Sequence, residues 1–384
     1  MSRSDPADVY SPEPNILERK AAEYLGRCSD ADGAARDATV RTQARKMAGA
    51  TRWAVGLAAT AGIFSGGIIG GSEVWIRQGL FDGMEDVDWR EQLPYWVGFF
   101  AFTGVVSAVE ILFLYWVALR GIVRVTKETG HTIGNSRYPG LFARGLARGA
   151  LEFPNPRVHI FGVDPYAYVS GWRLLAKNIG YKMKVGVTSF LLRVFLRRVA
   201  ARMAVRGMVP LIAGPLYAAW NAFIVWRIMN EARIRTLGPR VVDGIVDEAF
   251  GDGPPDGAAA EVILQGVAEM LKRGGDAHPN QVYLLCRIRE ALGREEDIDA
   301  DWNRHSPSLA DLNEGDRSRL LALLTVAILI GSSVARRQKR LLEEACRACC
   351  RRLSDGGLKT LQKKVKSGHR LGLEYIDRSC PREG

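Results

Sequence analysis

The sequence predicts an all-α protein in which a transmembrane helical hairpin carries one or more α-helical cytoplasmic domains. Two apolar runs, Trp53–Gly71 and Tyr95–Leu119, are long enough to cross a bilayer. The stretch between them is acidic, whereas the sequence on both outer sides is basic. Helical apolar spacing recurs through the rest of the chain, with few strand patterns.

The first run has no ionisable residue between Ala54 and Gly71. These 18 residues, with a rise of about 1.5 Å each, cover about 27 Å, close to a hydrocarbon core of about 30 Å. Trp53 and Trp75 bracket the run, and tryptophan is typical of the membrane–water interface. The run therefore predicts one membrane span.

The second run has aromatic pairs at both ends. Tyr95 and Trp96 open it, and Tyr115 and Trp116 close it 20 residues later. The two pairs would lie about 30 Å apart on a helix, at opposite interfaces. Pro94 predicts the start of this helix, because proline in the first turn loses no needed hydrogen bond.

The charges around the two runs predict their orientation. The connecting loop, Ser72–Leu93, carries six acidic residues against two arginines. Lys and Arg resist translocation, so both termini should be cytoplasmic and the loop external. The basic flanks are Arg36, Arg41, Arg45, Lys46 and Arg52 before the first run and Arg120, Arg124 and Lys127 after the second.

A stripe of glycines follows the first run. Gly62, Gly66 and Gly70 recur every four residues, which allows another helix backbone to approach closely in lipid. The second span is the expected partner, since it offers Gly104 and Ala108 at the same spacing. A homo-oligomer through the same stripe, or a glycine-rich helix without a specific partner, are the alternatives.

Glu110 is the one ionisable residue deep in either span, and it shares a helical face with Thr103 and Ser107. A carboxylate at that depth costs a few kcal/mol, so it usually has a role or a partner. One interpretation is a proton- or ion-handling site. We favour a protonated glutamate hydrogen-bonded to Ser107 or to the neighbouring helix, since the spans contain no Lys, Arg or His partner.

The segment Tyr181–Arg235 is the most unusual part of the predicted cytoplasmic region. Its first half has the spacing of a basic amphipathic helix, which is suited to an anionic membrane surface. The alternative is a surface helix of the soluble domain whose arginines meet the domain's own acidic residues. The predicted lipid-binding side chains are Arg193, Arg197, Arg198, Arg202 and Arg206.

The next 20 residues, Gly207–Trp226, carry no charge, and their length alone suggests a third span. Arginines flank them on both sides, however, and Pro210, Gly214, Pro215 and Asn221 interrupt them. We therefore favour a helix–break–helix that dips into the interface or is buried in the protein over a third crossing.

Three further helices are predicted in the C-terminal part. Ala258–Arg273 has helical apolar spacing, and His278–Asn280 can start a helix over Gln281–Gly293. Leu320–Ala335 has 16 positions, which is short for a span, so it predicts a buried core helix.

The sequence offers no pattern for catalysis or for a cofactor. Cys346, Cys349 and Cys350 cluster, but no second CxxC or HxxxH lies within reach, and the five histidines are scattered. No nucleophile–base pair or phosphate-binding glycine loop is visible. The net charge of +11 fits anionic lipid head groups and would also suit nucleic acid, but the apolar runs disfavour a soluble nucleic-acid binder.

A resemblance to known families rests on the middle and the end of the chain. Val209–Asn221 (VPLIAGPLYAAWN) and Asn230–Arg233 (NEAR) resemble the signature of EcsC-like bacterial proteins. The C-terminal part, through Leu320–Cys346, is similar to TerB-like helical domains. The resemblance implies a bacterial membrane protein without an established activity. Metal binding is not carried over from TerB-like domains, because Gly331–Ser333 replaces the acidic residues expected there.

These observations divide the chain into four regions. They are a cytoplasmic N-terminal helical region at 1–52, the transmembrane hairpin at 53–119 with its external loop at 72–93, a basic EcsC-like region at 120–240 and a TerB-like domain at 241–384.

The expected function is that of a non-enzymatic, multi-pass protein of the bacterial inner membrane. Such a protein would act as an interaction, scaffold or stress-related component that binds anionic lipid heads or an unidentified protein partner. The alternative is a subunit of an oligomeric transporter or channel that uses Glu110.

Overall fold

The computed structural model describes residues 5–30, 40–76, 88–130, 133–134, 136–172, 209–377 and 380–381. Helices are the regular elements of these ranges, and no strand forms within them. An isolated antiparallel bridge joins Ile160 and Val163. The prediction of an all-α fold is confirmed.

The helices follow one another with short connections where the chain is described. They are α1 Pro6–Tyr10, α2 Ile16–Asp30, α3 Val40–Trp75, α4 Trp89–Thr129, α5 Pro139–Ala150, α6 Val209–Phe250, α7 Gly257–Gly274, α8 Pro279–Ala291, α9 Trp302–His305, a 3₁₀ turn Ser306–Leu309, α10 Glu314–Leu329, α11 Arg336–Ala348, α12 Asp355–Lys366 and α13 Leu373–Asp377.

Helices α3, α4 and the first half of α6 form a long-helix bundle. Helix α6 packs antiparallel to α3, since Gly66 lies beside Gly214 whereas Gly62 lies beside Tyr217. A Cβ placed on Gly62 would be 2.6 Å from the backbone of Tyr217, so only glycine permits this approach. The glycine stripe therefore packs on α6, not on α4 as the sequence analysis expected.

Two boundaries in the long-helix bundle differ from the sequence predictions. Helix α4 begins at Trp89, which places Pro94 inside the helix instead of at its start. Helix α6 continues from Val209 to Phe250 through Pro215, so the predicted helix–break–helix is wrong. A proline removes one backbone hydrogen bond, and the close packing of α6 along α3 offsets that loss.

The outer surface of the long-helix bundle is apolar and uncovered. Helices α3 and α4 are long and apolar enough to cross a membrane. Only 39% of the most apolar window of α3 and 17% of that of α4 is buried. Exposed apolar side chains on the three helices include Ile63, Phe64, Ile68, Val97, Phe100, Phe102, Val105, Val109, Leu112, Trp116, Phe223 and Trp226.

The second half of α6 belongs to a C-terminal helical domain, formed with α7, α8, α10, α11 and α12. Val242 and Ile245 of α6 are fully buried in the core of this domain. Leu320–Ile330 is almost entirely buried there, which confirms a buried core helix, although the helix ends at Leu329 and not at Ala335 as predicted. Helix α6 is thus shared by the bundle and the domain.

The predicted starts of α7 and α8 are confirmed by their caps. Asp256 accepts a hydrogen bond from the Ala259 backbone N–H at 2.7 Å. The His278 ring accepts one from the Asn280 backbone N–H at 3.3 Å, and Pro279 opens the helix.

Helix α6 joins the domain most closely at Gly238. The buried Asn280 amide donates to the backbone oxygens of Ile234 at 2.9 Å and Ile330 at 3.1 Å. A Cβ on Gly238 would lie 2.0 Å from the Asn280 amide nitrogen. Pro239 follows Gly238, so the side-chain amide braces α6 where proline interrupts its hydrogen bonds.

We predict that Gly238→Ala lowers the free energy of unfolding by about 1–3 kcal/mol, because the methyl group displaces the held Asn280 amide. Thermal or denaturant unfolding of the purified chain measures this. Gly244→Ala is the matched control on the same helix, since nothing lies within 4 Å of its Cβ position. It should leave stability unchanged or raise it by up to about 1 kcal/mol. Equal effects of the two substitutions on stability would contradict the close contact proposed between Gly238 and the Asn280 amide.

Candidate functional site

The predicted intramembrane carboxylate lies inside the long-helix bundle. Glu110 of α4 is buried, and its carboxylate accepts a hydrogen bond of 2.6 Å from the Asn221 amide of α6. Asn221 is also buried, so each side chain supplies a polar partner where water is excluded. The pair joins α4 to α6.

The other predicted residues of this face lie nearby on α4. The Ser107 hydroxyl donates to the Thr103 backbone oxygen at 2.6 Å. Thr103 is buried, and its own hydroxyl has no hydrogen-bond partner among the described residues. Of the predicted packing glycines, Gly62 and Gly66 contact α6 and Gly70 is buried, whereas nothing lies within 4 Å of a Cβ at Gly104.

The predicted lipid-binding arginines, Arg193, Arg197, Arg198, Arg202 and Arg206, lie outside the described residues. Their predicted role stays a prediction.

A cavity of about 550 Å³ opens where the bundle meets the C-terminal helical domain. Its walls come from α5, α6, α12, the segments after α5 and before α8, and the turn between α10 and α11. We call it the junction cavity. Its lining is Arg148, Gly149, Glu152, Phe153, Asn155, Trp226, Arg227, Ile228, Asn230, Glu231, Arg233, Ile234, Arg235, Asp276, Ser332 and Lys366.

Arg235 forms the inner wall of the junction cavity. It is buried, and its guanidinium pairs with Glu231 at 2.8 Å, one turn earlier on α6. It also donates to the Gly145 backbone oxygen and, at 3.3 Å, to Asn155. A buried guanidinium with acceptors on several elements holds those elements in one arrangement.

Asn155 extends this network to the N-terminus and to the domain. Its amide oxygen accepts a hydrogen bond from the Tyr10 hydroxyl at 3.0 Å, and its amide nitrogen donates to Asp276 at 2.9 Å. The Tyr166 hydroxyl also donates to Asp276, at 3.0 Å. Burial raises the pKa of Tyr10 and of Tyr166, which keeps both hydroxyls protonated as donors.

Glu231 is held by three groups. Besides Arg235, the His278 ring lies 3.2 Å away and the Ser332 hydroxyl donates at 2.9 Å. Burial alone would raise the pKa of Glu231, but Arg235 and His278 outweigh it and hold the pKa well below its usual range. Glu231 is therefore a permanent anion in the wall.

Ser332, His278 and Glu231 do not form a catalytic relay. The serine hydroxyl and the His278 ring both contact Glu231, so the histidine does not stand between the other two. The second ring nitrogen of His278 accepts the Asn280 backbone N–H, which leaves the first as the donor to Glu231. The ring has no free nitrogen to act as a base towards Ser332.

Arg233 differs from the other cations of the inner wall. Its Nε atom is buried and has no hydrogen-bond partner in the described part of the chain. Burial lowers the pKa of Arg233, and no neighbouring carboxylate counteracts this. In the described part of the chain, the junction cavity thus contains a partly buried guanidinium that has no ion-pair partner and whose Nε atom lacks a hydrogen bond.

Asn230–Arg233 carries part of the family resemblance, and no binding or catalytic site was predicted there. The spacing of Glu231 and Arg235, four residues apart, indicates a helical ion pair, but it does not reveal the cavity around it. Within the described ranges, no group of three His, Cys, Asp or Glu side chains could hold a metal ion.

Comparison of the chain with protein-family models, with curated proteins and with solved structures gives no significant match. The EcsC-like and TerB-like resemblances therefore stay predictions.

We predict that the Glu231 network makes stability depend on pH. The lowered pKa means that Glu231 contributes stability fully above its unfolded-state pKa of about 4.3, and that this contribution is lost as the pH falls further. Denaturant unfolding between pH 7 and pH 3 should show a smaller loss below about pH 4.5 for Glu231→Gln than for the parent chain. Exposed Glu374 provides the control: Glu374→Gln should follow the parent curve.

A second prediction concerns the Glu110–Asn221 pair. Glu110→Ala and Asn221→Ala should each lower the melting temperature, and the double variant should lose less than the sum, with a coupling of about 0.6–1.7 kcal/mol. Thermal unfolding of the four proteins in one detergent measures the coupling. Additive losses would show that the hydrogen bond contributes nothing to the bundle.

Proposed function

We propose that the chain is a non-enzymatic integral membrane protein of the bacterial inner membrane that holds a helical interaction module at the cytoplasmic surface. The observation that carries the proposal is the uncovered apolar face of the long-helix bundle. A core helix of a soluble protein would be mostly buried, whereas 17% of the apolar window of α4 is buried. Exposed apolar surface of this extent needs lipid or a partner to cover it.

Aromatic and basic side chains support this placement at the cytoplasmic end. Trp53, Trp116 and Trp226 stand near that end on three different helices, and Trp116 and Trp226 are about half exposed. The Arg124 guanidinium stacks over the Trp53 ring at 3.7 Å. Indole rings beside cations are typical of a membrane–water boundary.

The first half of α6 is proposed as a third membrane-embedded helix. Phe223 and Trp226 continue the exposed apolar band of α3 and α4, while Tyr217, Asn221 and Val225 face the bundle. Because α6 runs antiparallel to α3, it enters the C-terminal helical domain on the side where α3 begins. A cytoplasmic N-terminus then places this domain in the cytoplasm as well.

The module itself is proposed to bind anionic lipid heads or a protein partner. The chain carries a net charge of +11, and basic segments near an anionic surface gain about 1 kcal/mol per cation. The relay-free arrangement of His278 and Ser332 supports binding over catalysis at the junction cavity. A scaffold or stress-related role is proposed for the module.

The alternative is a subunit of an oligomeric transporter or channel, and the buried Glu110–Asn221 pair is the observation that favours it. The three membrane-embedded helices proposed among the described residues are too few to enclose a path, so this function requires several copies. A chain that remains monomeric in detergent would exclude the alternative and leave the proposed function intact.

We predict that the full chain stays with the membrane fraction after alkaline carbonate extraction and leaves it only with detergent. A cysteine placed at Asp86 should react with an impermeant thiol reagent in intact cells. A cysteine at Gly257, in the matched variant, should react only after permeabilisation, and the parent chain gives the background of its native thiols. A protein that is monodisperse in buffer without amphiphile, or a reversed labelling pattern, would contradict the proposal.

A further inference from the structure

We infer that the junction cavity binds the phosphate group of an anionic phospholipid, with Arg233 as the central contact and Arg227 and Lys366 at its entrance. The inference rests on the proposed function, since a lipid head group reaches this cavity only if the bundle lies in a membrane.

The first support is the charge of Arg233. Arg233 is partly buried, and a guanidinium that loses part of its hydration gains from an anion or from acceptors that replace it. Its buried Nε atom has no partner among the described residues, and burial lowers its pKa. A phosphate offers oxygens that a planar guanidinium can contact in pairs, so it is the anion that this group fits best.

The second support is the balance of charge around the cavity. Five cations and three carboxylates line it. Arg235 is neutralised by Glu231, and Arg148 pairs at 2.6 Å with the buried Glu18. No ion pair involves Arg227, Arg233 or Lys366 in the described part of the chain. Of the carboxylates, Glu231 is already paired, so two of them, Glu152 and Asp276, face these three cations.

Asp276 is also engaged, because its two oxygens accept hydrogen bonds from Asn155 and Tyr166. Glu152 also lines the cavity and has an interaction of its own. The remaining polar side chain of the opening is Asn230, whose amide can donate to a phosphate oxygen. The cavity therefore presents more positive charge and donors than its own acids use.

The third support is the position of the cavity. Trp226 lies on its rim, half exposed, and stacks with the exposed Phe223 at a centroid distance of 6.2 Å. Arg227, Asn230 and Arg233 follow within the next two turns of α6. An acyl chain can lie along the two rings while the phosphate enters the cavity, whose 550 Å³ is within the usual range for ligand sites of about 300–1,000 Å³.

The test measures lipid binding by the purified full chain in a non-ionic detergent, by native mass spectrometry or by titration in mixed micelles. Phosphatidylglycerol is the anionic probe and phosphatidylcholine the zwitterionic one. We expect the anionic lipid to bind more tightly, and Arg233→Gln to weaken that binding about tenfold, as for the loss of one charged hydrogen-bonding group. Arg347→Gln, an exposed arginine outside the cavity, is the control of equal charge and should change it less than twofold.

A second arm separates the sources of phosphate. Inorganic phosphate and glycerol phosphate are added at millimolar concentration, and neither should displace phosphatidylglycerol. Displacement by either would assign the cavity to a soluble phosphate compound and overturn the lipid assignment. The double variant Arg227→Gln/Lys366→Gln keeps Arg233 and should weaken binding as well, which tests the entrance independently.

The failures of this inference and of the proposed function can be told apart. A chain that resists carbonate extraction but binds phosphatidylglycerol equally well with Arg233→Gln refutes the cavity assignment alone. A chain that is soluble without amphiphile refutes the proposed function, and with it the lipid as the ligand. We expect Arg233→Gln to fold normally, because no described partner is lost. A melting temperature equal to that of the parent chain would show this.

Discussion

The structure depends on the continuity of helix α6 through two different environments, and the buried Arg235–Glu231 pair fixes where the change occurs. Before this pair, α6 packs on α3 and α4 through small and apolar residues such as Gly214 and Val225. After it, Val242 and Ile245 lie in the core of the helical domain. A helix held at both ends by packing and at its centre by charge transmits position from one unit to the other, so the domain cannot rotate freely on the bundle.

The network around Arg235 has a cost that its geometry offsets. Removing a guanidinium and a carboxylate from water costs several kcal/mol per ion. The attraction between the two charges offsets this cost only when their remaining donors and acceptors are also hydrogen-bonded. Here the backbone of Gly145, the Asn155 amide and the His278 ring supply those partners. Because they come from α5, from the segment after it and from the cap of α8, the network selects one packing of these elements over others of similar apolar burial.

Local patterns of the sequence predicted the elements that local chemistry decides. The two apolar runs, the buried core helix through Leu320–Leu329 and the start of α8 at His278–Pro279 follow from hydropathy, length and capping. The partner of Gly66 could not be found this way, because Gly104 and Gly214 offer equivalent small surfaces and only the folded chain chooses between them. The continuity of α6 through Pro215 was missed for the same reason: proline is penalised locally, and the packing that compensates comes from a helix far away in sequence. The junction cavity is built from five separate segments, so no single window of sequence contained it.

The order of polar groups along α6 supports a membrane boundary without reference to hydropathy. Gly214 and Ala218 permit backbone contact, Asn221 brings one neutral amide to the buried Glu110, and among the described residues charge without an ion pair first appears at Arg227 and Arg233. Asn221 and Arg233 are 12 residues apart, about 18 Å along the helix. In the interior of a bilayer, a neutral amide hydrogen-bonded to another side chain has a lower free energy than an unpaired cation. At the head-group level, an unpaired cation can contact anionic lipid groups. An ordinary soluble helix has no reason to separate its polar groups in this way, since water would accept a charge at any level along its exposed face.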